Sequence, residues 1–329
     1  MLTTYISILL CGFLASFFLI FALKKILPAY RFLLSSSGIP LAGGIGIGIS
    51  FLCIGLASLF IYGAFSPQSK SLIFSSFIML IFGIFDDWRE MSVGAKLAVQ
   101  IFATALLVFS GVRTQIVFLS PALNTLLTFV WVIGIINALN HLDVMDGLAG
   151  TVALIVSHAF FVVSVLNKNM ETAFLSLALS AGVFGFLFYN LPPARVYMGN
   201  AGSHFLGFVL AGVAVMISYA SSDRKLALLT PLLIVGFPVF DTAFLIVVRM
   251  RKERSVFKKS NDHLALRFLK KGYSKNKALA SMSGLALLFA CAGVGLSQSP
   301  NIIGAGLVSA VLVMSAGISL AMGRVEIHG

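Results

Sequence analysis

Residues 137–150 read Asn-Ala-Leu-Asn-His-Leu-Asp-Val-Met-Asp-Gly-Leu-Ala-Gly and join an apolar run at about 122–140 to another at about 147–166. Each run approaches the roughly 20 residues an α-helix needs to cross a hydrocarbon core of about 30 Å. Lipid offers no partners to open backbone groups, so two such runs joined by a short polar turn form a hairpin of membrane helices. The alternation continues in both directions, with apolar runs at about 4–23, 44–66, 70–85, 95–112, 172–189, 203–221, 226–248, 278–297 and 301–322. The pattern predicts an all-α, polytopic integral membrane protein with about eleven transmembrane helices. It forms a single domain over 1–329, and its one long polar segment is the loop at about 249–277.

Composition agrees. The chain is 59% hydrophobic and 10% charged, with a mean hydropathy of +1.03, whereas soluble domains carry about 25% charged residues. Cys11, Cys53 and Cys291 lie inside apolar runs without metal-type spacing, so they read as small buried hydrophobes. The first run has no basic residues before it and no small-residue cleavage site after it, which predicts a retained helix. With the runs alternating across the bilayer, 18 of the 23 Lys and Arg fall on one face and five on the other. The positive-inside bias makes the richer face cytoplasmic and places the N-terminus outside. The net charge of +12 is then mostly topology, and nucleic acid is not expected as a partner. Basic residues of the 249–277 loop would instead attract anionic lipid and phosphate groups, and its Leu264 to Leu269 run suggests a short interfacial helix.

On the same face fall four polar clusters: Asp86-Asp87, Asn137 to Gly150, Asn190 to Gly207, and Ser260-Asn261-Asp262-His263. Ionisable groups at a membrane rim are costly, so their convergence reads as an active site. Asp86 and Asp87 close the third run, with Lys96 and Gln100 on the next; adjacent carboxylates favour a bound divalent cation or one raised pKa. Asn137, Asn140, Asp143 and Asp146 recur every three residues and would share a face if the fifth helix continued. Such hard oxygen donors suit Mg²⁺, while Asp146 before Gly147 also suits a helix cap. The Gly199 to Ser203 stretch opens the eighth run with backbone amides that suit a diphosphate. Asn190 and Tyr197 offer hydrogen bonds and a stacking face, although Tyr197 equally fits an interfacial aromatic. Asp241, after Phe237-Pro238, either lines the cleft or is structural. Among the histidines, His263 carries the functional expectation; His158 reads as interior, and the spacing of His141 and His204 gives no ligand set.

Taken in order, these motifs resemble the polyprenyl-phosphate N-acetylhexosamine-1-phosphate transferases. The likeness runs from Ile39-Pro40-Leu41-Ala42-Gly43-Gly44 through Phe82 to Asp87 with Lys96, Asn137 to Ala149, Pro193 to Gly207 and Phe237 to Ser274. It implies transfer of a sugar 1-phosphate from a UDP-N-acetylhexosamine to polyprenyl phosphate with Mg²⁺, or Mn²⁺, and release of UMP. By the family's pattern Asp86, Asp87, Asp143, Lys96 and His263 would be catalytic. Asn137, Asn140, Asp146, Asn190, Tyr197, Gly202 and Ser203 would bind substrate, and Asp86, Asp87 and Asn200 would hold the metal. The implied setting is the inner membrane of a bacterium with a cytoplasmic site, among membrane lipids; a homodimer is compatible with it.

Three positions depart from the family. Asn200 replaces an aspartate, Val144-Met145 lacks a glycine, and the histidine-rich loop shrinks to His263-Leu264-Ala265-Leu266. The last favours the N-acetylglucosamine type over the muramoyl-pentapeptide type. The alternative readings are a silent member that only binds lipid phosphate or nucleotide, and a transporter. A carrier places its charges near mid-bilayer, whereas these lie at one edge.

Overall fold

The computed structural model describes the chain apart from residues 218, 220–223, 253–261 and 326–329. Among the described residues all regular structure is helical, apart from one isolated bridge between Leu34 and Pro40. The helices are α1 (Leu2–Ala29), α2 (Gly43–Ile61), α3 (Pro67–Trp88), α4 (Val93–Phe109), α5 (Pro121–Leu142), α6 (Leu148–Leu166), α7 (Met170–Asn190) and α8 (Gly199–Met216). A 3₁₀ turn, Lys225–Leu229, leads into α9 (Thr230–Ile234) and α10 (Gly236–Arg251), then α11 (Leu264–Lys270), α12 (Lys275–Gln298) and α13 (Asn301–Gly323). Their starts are written locally. Ser66, Ser92, Ser120, Asn169 and Ser274 each accept a hydrogen bond from the third residue on, which satisfies one of the open amides of a first turn.

Every apolar run of the sequence forms helix, but not as eleven equal spans. Nine described helices are long and apolar enough to cross a membrane, or ten with the bent pair counted as one. α4, at 17 residues, is about 25 Å long and falls short of the core thickness. The run expected at 226–248 is broken. Its two parts meet at 73° between Ile234 and Gly236, with Pro231 and Pro238 each in the first turn of the segment that follows, where a missing N–H is tolerated.

α7 and α8 form the centre, with 89% and 78% of their apolar windows buried, while α13, at 11%, lies at the edge. Lipid is as apolar as leucine, so helices here associate through close packing and small residues. Such contacts set the active end of the bundle. A side chain on Gly83 of α3 would meet the Ala201 backbone of α8, and one on Gly44 of α2 would meet the Gly202 backbone. Both helices therefore press against the first turn of α8, and α3 delivers Asp86 and Asp87 to it.

Candidate active site at the converging helix ends

Neighbouring residues on a helix do not face each other, and Asp86 and Asp87 diverge accordingly. Asp86 is buried; its Oδ1 accepts the Met91 N–H at 2.8 Å and its Oδ2 pairs with Lys96 Nζ at 2.7 Å. Asp87 turns to α8, where Oδ1 accepts the Asn200 N–H at 2.7 Å and Oδ2 the Ala201 N–H at 2.9 Å. A carboxylate on the first amides of a helix answers both its open donors and its positive end. Those amides are therefore not bare, which corrects the expectation that they are free for a diphosphate: their anion comes from the protein. Gly199, with φ of 70°, permits the approach, because a side chain there would collide with the Asp87 carboxylate.

The four-residue stripe of 137–146 is also divided. α5 ends at Leu142, with Asp143 as its cap residue at ψ 58°, so only Asn137 and Asn140 remain on the helix. Asn137 donates to Gln100 Oε1 at 3.1 Å and to the Ile133 carbonyl at 2.7 Å. The Asn140 amide donates to Ser203 Oγ at 2.9 Å and Asn200 Oδ1 at 3.2 Å. Asp143 and Asp146 lie in the turn beyond. Gly147, not Asp146, occupies the cap position of α6; Asp146 Oδ2 accepts the Ala194 N–H at 3.3 Å and stands 3.8 Å from Lys275 Nζ.

Asn190 accepts the Gly147 N–H at 3.0 Å and donates to the Val196 carbonyl at 2.9 Å. Both ends of its amide thus brace the two loops that form the cleft wall. Gly202 and Ser203 are packed within the fold, Gly202 against Gly44 and Ser203 almost fully buried. A cavity of about 260 Å³ is lined by Leu41, Asp143, Asp146, Asn190, Tyr197 and Gly199 among others, and by neither of these two. The Asp143 backbone N–H donates to the Asn140 carbonyl at 3.3 Å, but its carboxyl has no hydrogen-bond or ion-pair partner among the described residues. Its carboxyl is pushed up to about 7, first by loss of water and then by the charges of Asp87 and Asp146.

The last large loop reaches the same end. Ser260 and Asn261 lie outside the described residues. Asp262 pairs with Lys252 at 2.9 Å and Arg267 at 3.2 Å. His263 Nδ1 is 3.4 Å from Asp241 Oδ2, and its ring meets His141 at a centroid distance of 6.5 Å. α11 is the short helix expected, yet its Arg267 points inward and is wholly buried. His158 lies 3.4 Å from Ser180 Oγ but sits on the exposed side of α6, which corrects the expectation of an interior residue.

A model of glycosyl transferase family 4 matches residues 69–218, the stretch from α3 through α8 that contributes Asp86, Asp87, Lys96, Asp143, Asp146 and Asn200. Over that stretch the chain is similar to this family. It is 28% identical over 270 residues to the probable undecaprenyl-phosphate N-acetylglucosaminyl 1-phosphate transferase of Bacillus subtilis (strain 168), covering 79% of this chain and 74% of that one. It is 28% identical to the undecaprenyl-phosphate alpha-N-acetylglucosaminyl 1-phosphate transferase of Thermotoga maritima, over 79% and 77% of the two chains. It is 29% identical to the phospho-N-acetylmuramoyl-pentapeptide-transferase of Carboxydothermus hydrogenoformans, over 78% and 83%.

The family's metal was expected on Asp86, Asp87 and Asn200. Here Asp86 faces Lys96, and Asn200 Oδ1 accepts from Asn140. Among the described residues no three His, Cys, Asp or Glu side chains are grouped to hold an ion. Mg²⁺ commonly needs only one or two protein carboxylates, with waters and substrate phosphates completing its shell. The unpartnered carboxyl of Asp143, crowded by Asp87 and Asp146 at the cavity wall, fits such a site better than Asp86 does. Two further residues stand at this end that the sequence does not single out: Asp241, which it leaves open between cleft and structure, and His141. A carboxylate within an apolar run was the available signal for the first. His141 carried none, because its partner His263 lies 122 positions away.

Proposed function

We propose that the protein transfers N-acetylhexosamine 1-phosphate from a UDP-sugar to polyprenyl phosphate, releasing UMP and leaving a lipid-linked sugar diphosphate. The observation that carries the reading is the cleft in which Asp87, Asp143 and Asp146 crowd beside a cationic Lys96 in a chain similar to this family. An oxygen of the lipid phosphate attacks the β-phosphorus; the new O–P bond forms as the bridging bond to UMP breaks. Phosphoryl transfer needs alignment and charge neutralisation more than covalent help. Lys96, half-exposed beside Asp86, supplies a cation to a phosphate. Asp143, titrating near neutrality, accepts the proton of the attacking lipid phosphate, and Tyr197 lines the wall that would receive the uracil. When bound at Asp143 and its neighbours, Mg²⁺ or Mn²⁺ would neutralise diphosphate charge.

The shortened histidine segment favours N-acetylglucosamine over the muramoyl pentapeptide. The Lys and Arg distribution supports a cleft open to the cytoplasm at a bacterial inner membrane. The test is UMP release from UDP-N-acetylglucosamine by the detergent-purified protein with polyprenyl phosphate and Mg²⁺. Turnover that requires the lipid and disappears in Asp143→Asn supports the reading. Nucleotide binding without turnover, in the original and in Asn200→Asp, would identify a silent member.

A further inference from the structure

Asp241 sits in the second turn of α10, just past the 73° break, and is buried. Both its oxygens point to the segment entering α11: Oδ1 accepts the Leu264 N–H at 3.2 Å and Oδ2 is 3.4 Å from His263 Nδ1. The same segment is fastened from the other side by Arg267. Its Nε donates to the Asp262 carbonyl at 3.0 Å and its Nη2 to Asp262 Oδ1 at 3.2 Å. Its Nη1 donates to the carbonyls of Met322 at 2.8 Å, in the last turn of α13, and Val325 at 2.6 Å, just past it, and its guanidinium lies over the Phe244 ring at 5.2 Å. The backbone before His263 is thereby held between α10 and the end of α13.

This leaves His263 one orientation. Its Nδ1 edge faces Asp241, and its Nε2 has no hydrogen-bond partner among the described residues. Beside it stands His141, two residues before Asp143, whose own Nδ1 is buried without a partner. The Leu264 amide needs only one acceptor, which an asparagine would supply equally well. The second carboxylate oxygen matters for the imidazole: a carboxylate on Nδ1 fixes the proton there and makes Nε2 the acceptor. An amide nitrogen in its place can only donate, which moves the proton of a neutral ring to Nε2.

We propose that Asp241 is a positioning residue for His263, fixing its ring and tautomer so that Nε2 faces the nucleotide sugar. The role of His263 in transfer rests on the function proposed above; the Asp241–His263 linkage does not. The experiment is ¹⁵N NMR of histidine-labelled protein in detergent, with the His263 signal identified by its loss in His263→Gln. A protonated Nδ1 in the original protein that loses its proton in Asp241→Asn supports the proposal. An unprotonated Nδ1 in the original, or a state unchanged by Asp241→Asn, overturns it. In turnover assays Asp241→Asn should lower kcat about tenfold with KM for the UDP-sugar within twofold. Added to His263→Gln it should cost nothing further; losses that multiply would mean that Asp241 acts on packing and not through His263. A protein that releases no UMP yet shows the Asp241-dependent Nδ1 proton would refute the transfer reading and leave the positioning intact.

Discussion

Replacing Asp143 with asparagine separates the charge of this side chain from its shape. In the folded protein its carboxyl titrates near 7 instead of 3.8. Below about pH 4 both folded and unfolded chains carry the proton, and the residue has no pH-linked effect. Between about pH 4 and 7 the unfolded chain releases it while the folded chain keeps it, so stability falls as pH rises. Above about 7 the folded chain must hold the charge, and the cost is constant. Three units at about 1.4 kcal/mol each would give about 4 kcal/mol; water at the open cleft reduces this to roughly 2–3 kcal/mol. Asp143→Asn should therefore raise the melting temperature at pH 8, without divalent cation, by about 3–6 °C, and at pH 4.5 by only about a quarter of that. Thermal unfolding of the detergent-purified protein at the two pH values reads this directly. Equal gains at both pH values would show that packing and not charge is responsible. A loss at pH 8 would refute the argument that this carboxylate is uncompensated. Mg²⁺ should stabilise the original protein at pH 8 by more than it stabilises the variant, since a cation relieves the same crowding.

Asp87→Asn leaves one of two α8 amides facing an N–H₂ group, so a loss of about 2–3 kcal/mol is expected, seen as a lower melting temperature at pH 8. Arg267→Met removes one ion pair of Asp262 and the donor to three backbone carbonyls, those of Asp262, Met322 and Val325, and should cost about 3–5 kcal/mol, or abolish recovery of folded protein in size-exclusion chromatography. Gly83→Val forces α3 away from Ala201 and should eliminate UMP release even where the protein still folds, whereas Gly94→Ala, at a position with open space, should change neither. Chelating divalent cations should stop UMP release, and Mg²⁺ should restore it.

Much of the helical pattern was readable because it is local. Apolar runs, serine caps and the polar joints between runs are neighbours in sequence, and each became an element boundary within a few residues. The failures share one cause. The stripe from Asn137 to Asp146 looked helical by spacing, but the chain leaves the helix at Leu142, where Asp143 takes the cap position. The amides at the start of α8 looked vacant, but Asp87, 113 positions from Asn200, fills them. Asn190, expected to meet a base, lines the cavity and also braces Gly147 and Val196, a tie between loops that spacing does not show.

By itself the sequence determined that this chain lives in a membrane, that its helices alternate across it, and that its acidic and amide residues gather at one edge. Hydrophobic length and the need to pair every backbone group in lipid leave few alternatives. Only the tertiary structure decided which of those residues face one another: Asp86 with Lys96, Asp87 with α8, and Asp241 with His263, leaving the Asp143 carboxyl at the cleft without a partner among the described residues. Those pairings depend on the packing of glycines such as Gly44 and Gly83 against distant helices and on the angle of a broken span, quantities that no local spacing encodes.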